Sequence, residues 1–222
     1  MQAKLIALCV SSFLTTSILR ADDLYHIQKN ELQQIKRRMV HELTFRGLPE
    51  SKFLRQQVKA LDVRVEDWLA AEGGYWSKWK QVGHPEISLN SVAFSVPKEL
   101  ARAYAMPTSR HHRSRRVLAA IEAGLRHLLT FAYRGCPQPG NWWAWQIGMP
   151  MQLIPTCMLL EEDLDPELLH REIETIQYLL KVEDDVKLTG GFIAPEKPVP
   201  GRTDMNQLWH KRLRLECGVL LE

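Results

Sequence analysis

Apolar residues recur along most of this chain at helical rather than alternating spacing. Leu24, Ile27, Ile35, Met39 and Leu43 form one stripe among Lys, Arg, Gln and Glu, and Gly47-Leu48-Pro49 ends the helix they predict. Phe53, Leu54, Val58, Leu61, Val65 and Trp68 form a second stripe, closed by Gly73-Gly74. Residues 74–97 carry no clear period. Pro97 reads as the start of a helix that continues through Leu100, Ala103 and Tyr104 to Met106-Pro107. Val117, Leu118, Ile121, Leu125, Leu128, Leu129 and Ala132 share one face of a long helix that stops at Gly135-Cys136-Pro137. Asp165-Pro166 opens another, an Asp cap with Pro in the first turn, carrying Leu169, Ile173, Ile176, Leu179 and Leu180. Gly190 to Gly201 reads as a loop, and Asp204 caps a last helix through Leu208, Leu215 and Leu221.

No run alternates in the manner of a strand. About six helices joined by loops of roughly 5–25 residues predict an all-α fold of antiparallel helix pairs. The two longest loops, near 74–97 and 189–202, are expected to be functional or disordered. With 45% hydrophobic residues in 222, the chain can bury a real core. Four cysteines exclude a disulfide-stapled scaffold, and no CxxC or Cys/His spacing suggests a zinc site. A net charge of +3 does not by itself demand a polyanionic partner.

The amino end adds a compartment. Lys4 precedes the uncharged stretch Leu5–Leu19, and Arg20-Ala21-Asp22-Asp23 follows, with Ala21 as a small residue for a peptidase. Residues 1–21 therefore read as a secretory signal, too short to span a membrane, and residues 22–222 as the exported domain. Secreted or periplasmic localisation follows, with no stable membrane insertion after cleavage. Losing the leader removes Cys9 and leaves Cys136, Cys157 and Cys217, so at least one thiol has no partner within the chain.

Seven Trp outnumber six Phe and five Tyr, and three of the seven crowd into Trp142–Trp145. Asn141 is a good helix cap, and Gly148-Met149-Pro150 closes that short helix and starts the next. At about 100° per residue, Trp142 and Trp145 share a face while Trp143 points away. Trp145 then continues a buried stripe with Met149 and Leu153, backed by Ile147, Ile154 and Met158, while Gln146 and Gly148 are expected to leave an open polar strip. Either all three indoles fill the core, or Trp142 or Trp143 lines a concave surface and stacks on the apolar face of a sugar ring.

This passage resembles the Asn-Trp-Trp segment and following Ile-Gly-x-Pro turn of polysaccharide lyase family 8, which includes hyaluronate, chondroitin and xanthan lyases. Glu99-Leu100-Ala101-Arg102-Ala103-Tyr104-Ala105-Met106-Pro107-Thr108-Ser109 resembles that family's helix and turn with the pattern Arg, then Ala-x-Ala-Tyr, then Pro-x-Ser. Ala120-Ile121-Glu122-Ala123-Gly124-Leu125 resembles the Ala-Ile-x-x-Gly-Leu helix that follows. The order and spacing of the three agree over roughly residues 90–165, with weaker similarity from about residue 30 to the end.

The resemblance implies an incomplete (α/α) toroid, truncated relative to the full family architecture, whose cleft holds an acidic polysaccharide. Asn141, Trp142 and Trp143 would form the patch that positions the glycan. The implied reaction is β-elimination: an Asn hydrogen-bonds the uronate carboxylate, a base removes the proton alpha to it, and a Tyr protonates the leaving oxygen. That route uses no metal or other cofactor. A monomer that binds no nucleic acid is expected.

The chain also departs from the family. Where a Gly-Ala-Asn segment is expected, it has Gly201-Arg202-Thr203-Asp204-Met205-Asn206. Asn206 is the candidate substitute for the carboxylate-binding Asn, and Arg202 a candidate substrate contact. No residue matches the catalytic His or Tyr, since His210 follows Trp209 too closely. The sequence therefore reads as the amino-terminal helical portion of a secreted lyase. The alternatives are a glycan-binding module without catalysis, a truncated inactive relative, or a purely structural helical domain. Two charged runs complete the list. Arg110-His111-His112-Arg113-Ser114-Arg115-Arg116 is open to three readings, as a solvated loop, a glycan attractor or a nucleic-acid patch, and Glu183-Asp184-Asp185 reads as a solvated helix end.

Overall fold

The computed structural model describes residues 29–71, 91–138, 142–180 and 204–221. The leader 1–21, Leu24, Ile27, Gly73-Gly74, Asn141, Glu183-Asp184-Asp185, the loop Gly190–Gly201 and Arg202 lie outside the described residues. Among those described there are seven α-helices, a short π-helical turn and no strand. The helices are α1 (Lys29–Leu43), α2 (Lys52–Ala70), α3 (Ser91–Ala105), α4 (Arg115–Leu128), α5 (Pro150–Leu160), α6 (Pro166–Leu179) and α7 (Asp204–Leu220), with the π turn at Ala144–Gly148. No helix among them is long and apolar enough to cross a membrane.

Side-chain caps set several starts. The Ser51 hydroxyl accepts from Leu54 N–H at 3.1 Å, and Asp165 Oδ1 accepts from Leu168 N–H at 2.8 Å. Each such cap is worth about 1 kcal/mol. The end of α1 is less ordinary. Arg46 N–H reaches the His41 carbonyl and Phe45 N–H the Glu42 carbonyl, a Schellman closure with Phe45 at φ 57° where glycine is usual. Arg102 on α3 holds it there. Its Nε donates to the Leu43 carbonyl at 3.0 Å, and its guanidinium carbon lies 5.3 Å from the Phe45 ring centroid.

Helices joined by short turns pack on each other, α3 on α4 and α5 on α6, as antiparallel pairs. At the centre, α5 packs against α1, α3, α6, α7 and the π turn. It is apolar nearly all round, with Leu153, Ile154, Cys157, Met158, Leu159 and Leu160 buried, as a central helix must be. The amphipathic α4 contributes one face only, through Val117, Ile121, Leu125 and Leu128. Each of these buried aliphatic side chains stabilises by about 1.5–3 kcal/mol. Cys136, Cys157 and Cys217 are all buried unpaired thiols.

Three expectations are corrected. The third helix begins at Ser91, not Pro97, so residues 91–97 are helical rather than irregular. Phe94 and Val96 are buried in the core, and that burial outweighs the hydrogen bond lost at Pro97. In the last helix Leu208 is exposed, as is Leu221 just past its end, and the core face holds His210, Leu213, Cys217 and Leu220 instead. Phe53, assigned to the second stripe, is 63% exposed because Val58, Leu61 and Val65 already fill the inward face of α2.

Candidate functional site

The Trp segment leads into α5 at its amino end. Trp142 and Trp143 start as α-helix, and the chain then widens into the π turn, closed by Met149 N–H donating to the Ala144 carbonyl at 2.9 Å. Such single π turns recur at functional sites, because one extra residue re-aims the side chains around it. Here the widening buries Trp145, Gln146, Ile147 and Gly148 in succession. Trp145 is 1% exposed, with Met149 and Leu153 buried beside it, as the stripe predicts.

The open polar strip expected at Gln146 and Gly148 does not exist. Gln146 is buried, and its Nε2 donates to Gln138 Oε1 at 3.4 Å. Gly148 lies under an indole: a Cβ added there would sit 3.2 Å from Trp143 Cζ3. Both Trp142 and Trp143 are half-buried and packed on the core's edge, so neither stands free of it.

A third indole completes the patch. Trp209 on α7 meets Trp143 edge to face, ring centroids 6.1 Å apart at 71°. Such pairs add about 0.5–1.5 kcal/mol beyond burial. Half-buried Asn206 lies one turn before Trp209, so the two share a side of α7, and α7 packs on the π turn. The structure therefore brings Trp142, Trp143, Trp209 and the Asn206 side of α7 to one end of the helices. Asn141 and Arg202 are outside the described residues. Neither Trp209 nor Gly148 stands out from spacing. The usable signal was that Trp209 falls off the apolar face of its own helix.

The basic run is at the other end of α5. Ser109 Oγ donates to Asp62 Oδ1 at 2.6 Å, and Arg110 N–H and Nη2 donate to the Asp62 carboxylate and carbonyl. Arg113 pairs with Asp163 at 3.0 Å, beyond the carboxyl end of α5, and Arg116 donates to the Leu69 carbonyl. Helix α5, with its 11 residues about 16 Å long, separates this turn from the indoles. With Asp62, Glu66 and Asp163 against it, the run ties α2 and the turn after α5 to the connection between α3 and α4.

Several ionisable groups shifted by burial lie in the core. Burial raises the Glu172 carboxyl to about 8, with Arg171 opposing weakly. Burial pushes the Cys217 thiol up to about 12 and the Cys157 thiol well above its usual value, so neither is a nucleophile. Among the described residues no group of three or more His, Cys, Asp or Glu is placed to hold a metal ion. What the indole end offers is a part-exposed apolar surface with the Asn206 amide on the same side of α7 as Trp209.

Solved structures share the helix arrangement. Paenibacillus xanthan lyase superposes with a TM-score of 0.64 at 19% identity, covering 86% of this chain and 17% of that one. The Streptomyces coelicolor A3 chondroitin AC lyase, in its complex with chondroitin sulphate, gives 0.62 at 19%, covering 85% and 24%. The fold is thus that of a polysaccharide-lyase helical domain, an all-α incomplete (α/α) toroid. The sequence profile of the polysaccharide lyase family 8 N-terminal alpha-helical domain matches residues 54–209, and this chain belongs to that family. A hyaluronate lyase of Thermasporomyces composti is 27% identical over 137 residues, covering 59% of this chain and 17% of its own length. The hyaluronate lyase HylB of Enterococcus faecalis is 36% identical over 78 residues, covering 35% of this chain and 8% of its own length. The chain thus spans less than a fifth of the length of either relative.

Proposed function

We propose that this chain is the glycan-holding, amino-terminal helical portion of a secreted lyase that cleaves uronic-acid polysaccharides of the hyaluronan or chondroitin kind by β-elimination. The observation that carries the reading is the half-exposed pair Trp143–Trp209, set at the mouth of α5 with Asn206 beside it. Both rings keep part of their surface in solvent, while Trp145, Met149 and Leu153 are buried. Family membership supplies the substrate class, and the names of the relatives point to hyaluronate and chondroitin sulphate. Asn206 serves as a hydrogen-bonding partner of the glycan. With no match to the family's His and Tyr, the 222-residue chain supplies binding and not the acid/base pair.

The test is to titrate the 222-residue chain with hyaluronan and chondroitin oligosaccharides by calorimetry while following unsaturated uronate by ultraviolet absorbance. Saturable binding without product is expected. Absence of binding to both glycans would contradict the reading.

Export is part of the same proposal, resting on the uncharged Leu5–Leu19 and the small residue Ala21. Amino-terminal sequencing of exported material is expected to begin at Asp22. Exported protein beginning at Met1 would refute cleavage.

A further inference from the structure

We infer that Trp209 is a second sugar-contacting wall, set at an angle to Trp143, so that the site grips two successive sugar rings rather than one. The inference rests on the glycan-binding reading and adds to it a residue and a minimum ligand length.

Trp209 lies off the core face of its helix and touches the core's edge through Trp143. On α7 the inward positions are His210, Leu213, Cys217 and Leu220, a complete core face. Trp209 stands about 100° round the helix from His210 and stays 36% exposed. Its neighbour Leu208 is 49% exposed. Adjacent large apolar side chains left part-exposed on one stretch of helix are what a binding surface uses.

The geometry says what that surface fits. Two indole planes at 71° with centroids 6.1 Å apart make a corner, not a single flat shelf. One sugar ring on one wall cannot also lie flat on the other. A chain whose successive rings face different directions can use both. Trp143 cannot drop away from the corner, because it already rests on Gly148, so closely that a Cβ added there would lie only 3.2 Å from its Cζ3. Half-buried Asn206, one turn before Trp209 on the same side of α7, supplies an amide for the hydroxyls of the ring on that wall.

The test uses Trp209→Leu in the 222-residue chain, which keeps bulk and removes the indole face, and a thermal melt confirms that the fold survives. Glucuronic acid, a single ring, and hyaluronan hexasaccharide are titrated into wild type, Trp143→Ala and Trp209→Leu. Loss of the second wall in Trp209→Leu is expected to weaken hexasaccharide binding by about tenfold while leaving the monosaccharide within twofold. Trp143→Ala is expected to weaken both. Equal loss on both lengths for Trp209→Leu would mean that Trp209 merely props Trp143, and unchanged hexasaccharide binding would mean that it does nothing; either overturns the second wall. Failure of wild type to bind any oligosaccharide would instead overturn the glycan reading beneath it. Should Trp209→Leu melt far below wild type, Trp209→Phe, which keeps an aromatic face, is expected to restore hexasaccharide binding to within threefold, and its failure to do so counts against the wall.

Discussion

Trp145→Ala is expected to remove about 3–5 kcal/mol of stability, the range for deleting a large buried aromatic. Trp145 is 1% exposed, and α5, which it abuts through the π turn, touches α1, α3, α6 and α7. A cavity there loosens the centre of the array rather than an edge. Against a total stability of about 5–15 kcal/mol, that is a loss of a fifth or more. Trp142→Ala is expected to cost less, because its half-buried ring leaves a partly solvated gap. Denaturant midpoints for the two variants are the measurement. Equal midpoints would mean that Trp145 is not the core member of the segment.

The second large effect is on pH. Glu172 is buried on α6, and its Oε1 has no hydrogen-bond partner. Its carboxyl rises from 4.5 to about 8, so in that window the unfolded chain has lost a proton that the folded chain keeps. Stability then falls as pH rises, by about 1.4 kcal/mol per unit and about 5 kcal/mol at most across the window. Below the window the group is protonated in both states, and above it no further loss comes from this residue. Glu216, also raised by burial but held by Arg212 at 2.6 Å, acts in the same direction. Glu172→Gln is expected to flatten the slope and to be more stable than wild type at pH 8. At pH 5 it should be no better, since its amide donors are buried as well. Identical slopes for the two proteins, from denaturant melts between pH 5 and 8, would show that Glu172 is ionised in the folded state.

Much of this architecture is legible in the sequence. The stripe Val117, Ile121, Leu125 and Leu128 and the Asp165-Pro166 cap appear in the structure as read, since periodicity and capping are local physics. What was illegible depends on residues far apart. Pro97 signals a helix start, but Phe94 and Val96 find a core and carry the helix back to Ser91. Lys36, placed among the polar positions of α1, is buried by its pairing with Glu161 at 2.7 Å. The π turn follows no fixed period, and it is why Gln146 and Gly148 turn inward. Trp142 and Trp143 of the sequence motif lie at the end of the helices where Trp209 also lies. Trp209, the partner of Trp143, comes from another helix, and one-dimensional spacing cannot reveal that pairing.

On the proposed reading, a uronic-acid glycan lies against Trp143 and Trp209 while Trp145 stays in the core. The direct measurement is the shift of each indole N–H resonance, assigned with single Trp→Phe variants, as hyaluronan hexasaccharide is added to the 222-residue chain. Saturable shifts are predicted for Trp143 and Trp209, with Trp145 and Trp68 unmoved. Shifts confined to Trp68, or no indole shift at saturating glycan, would contradict the account.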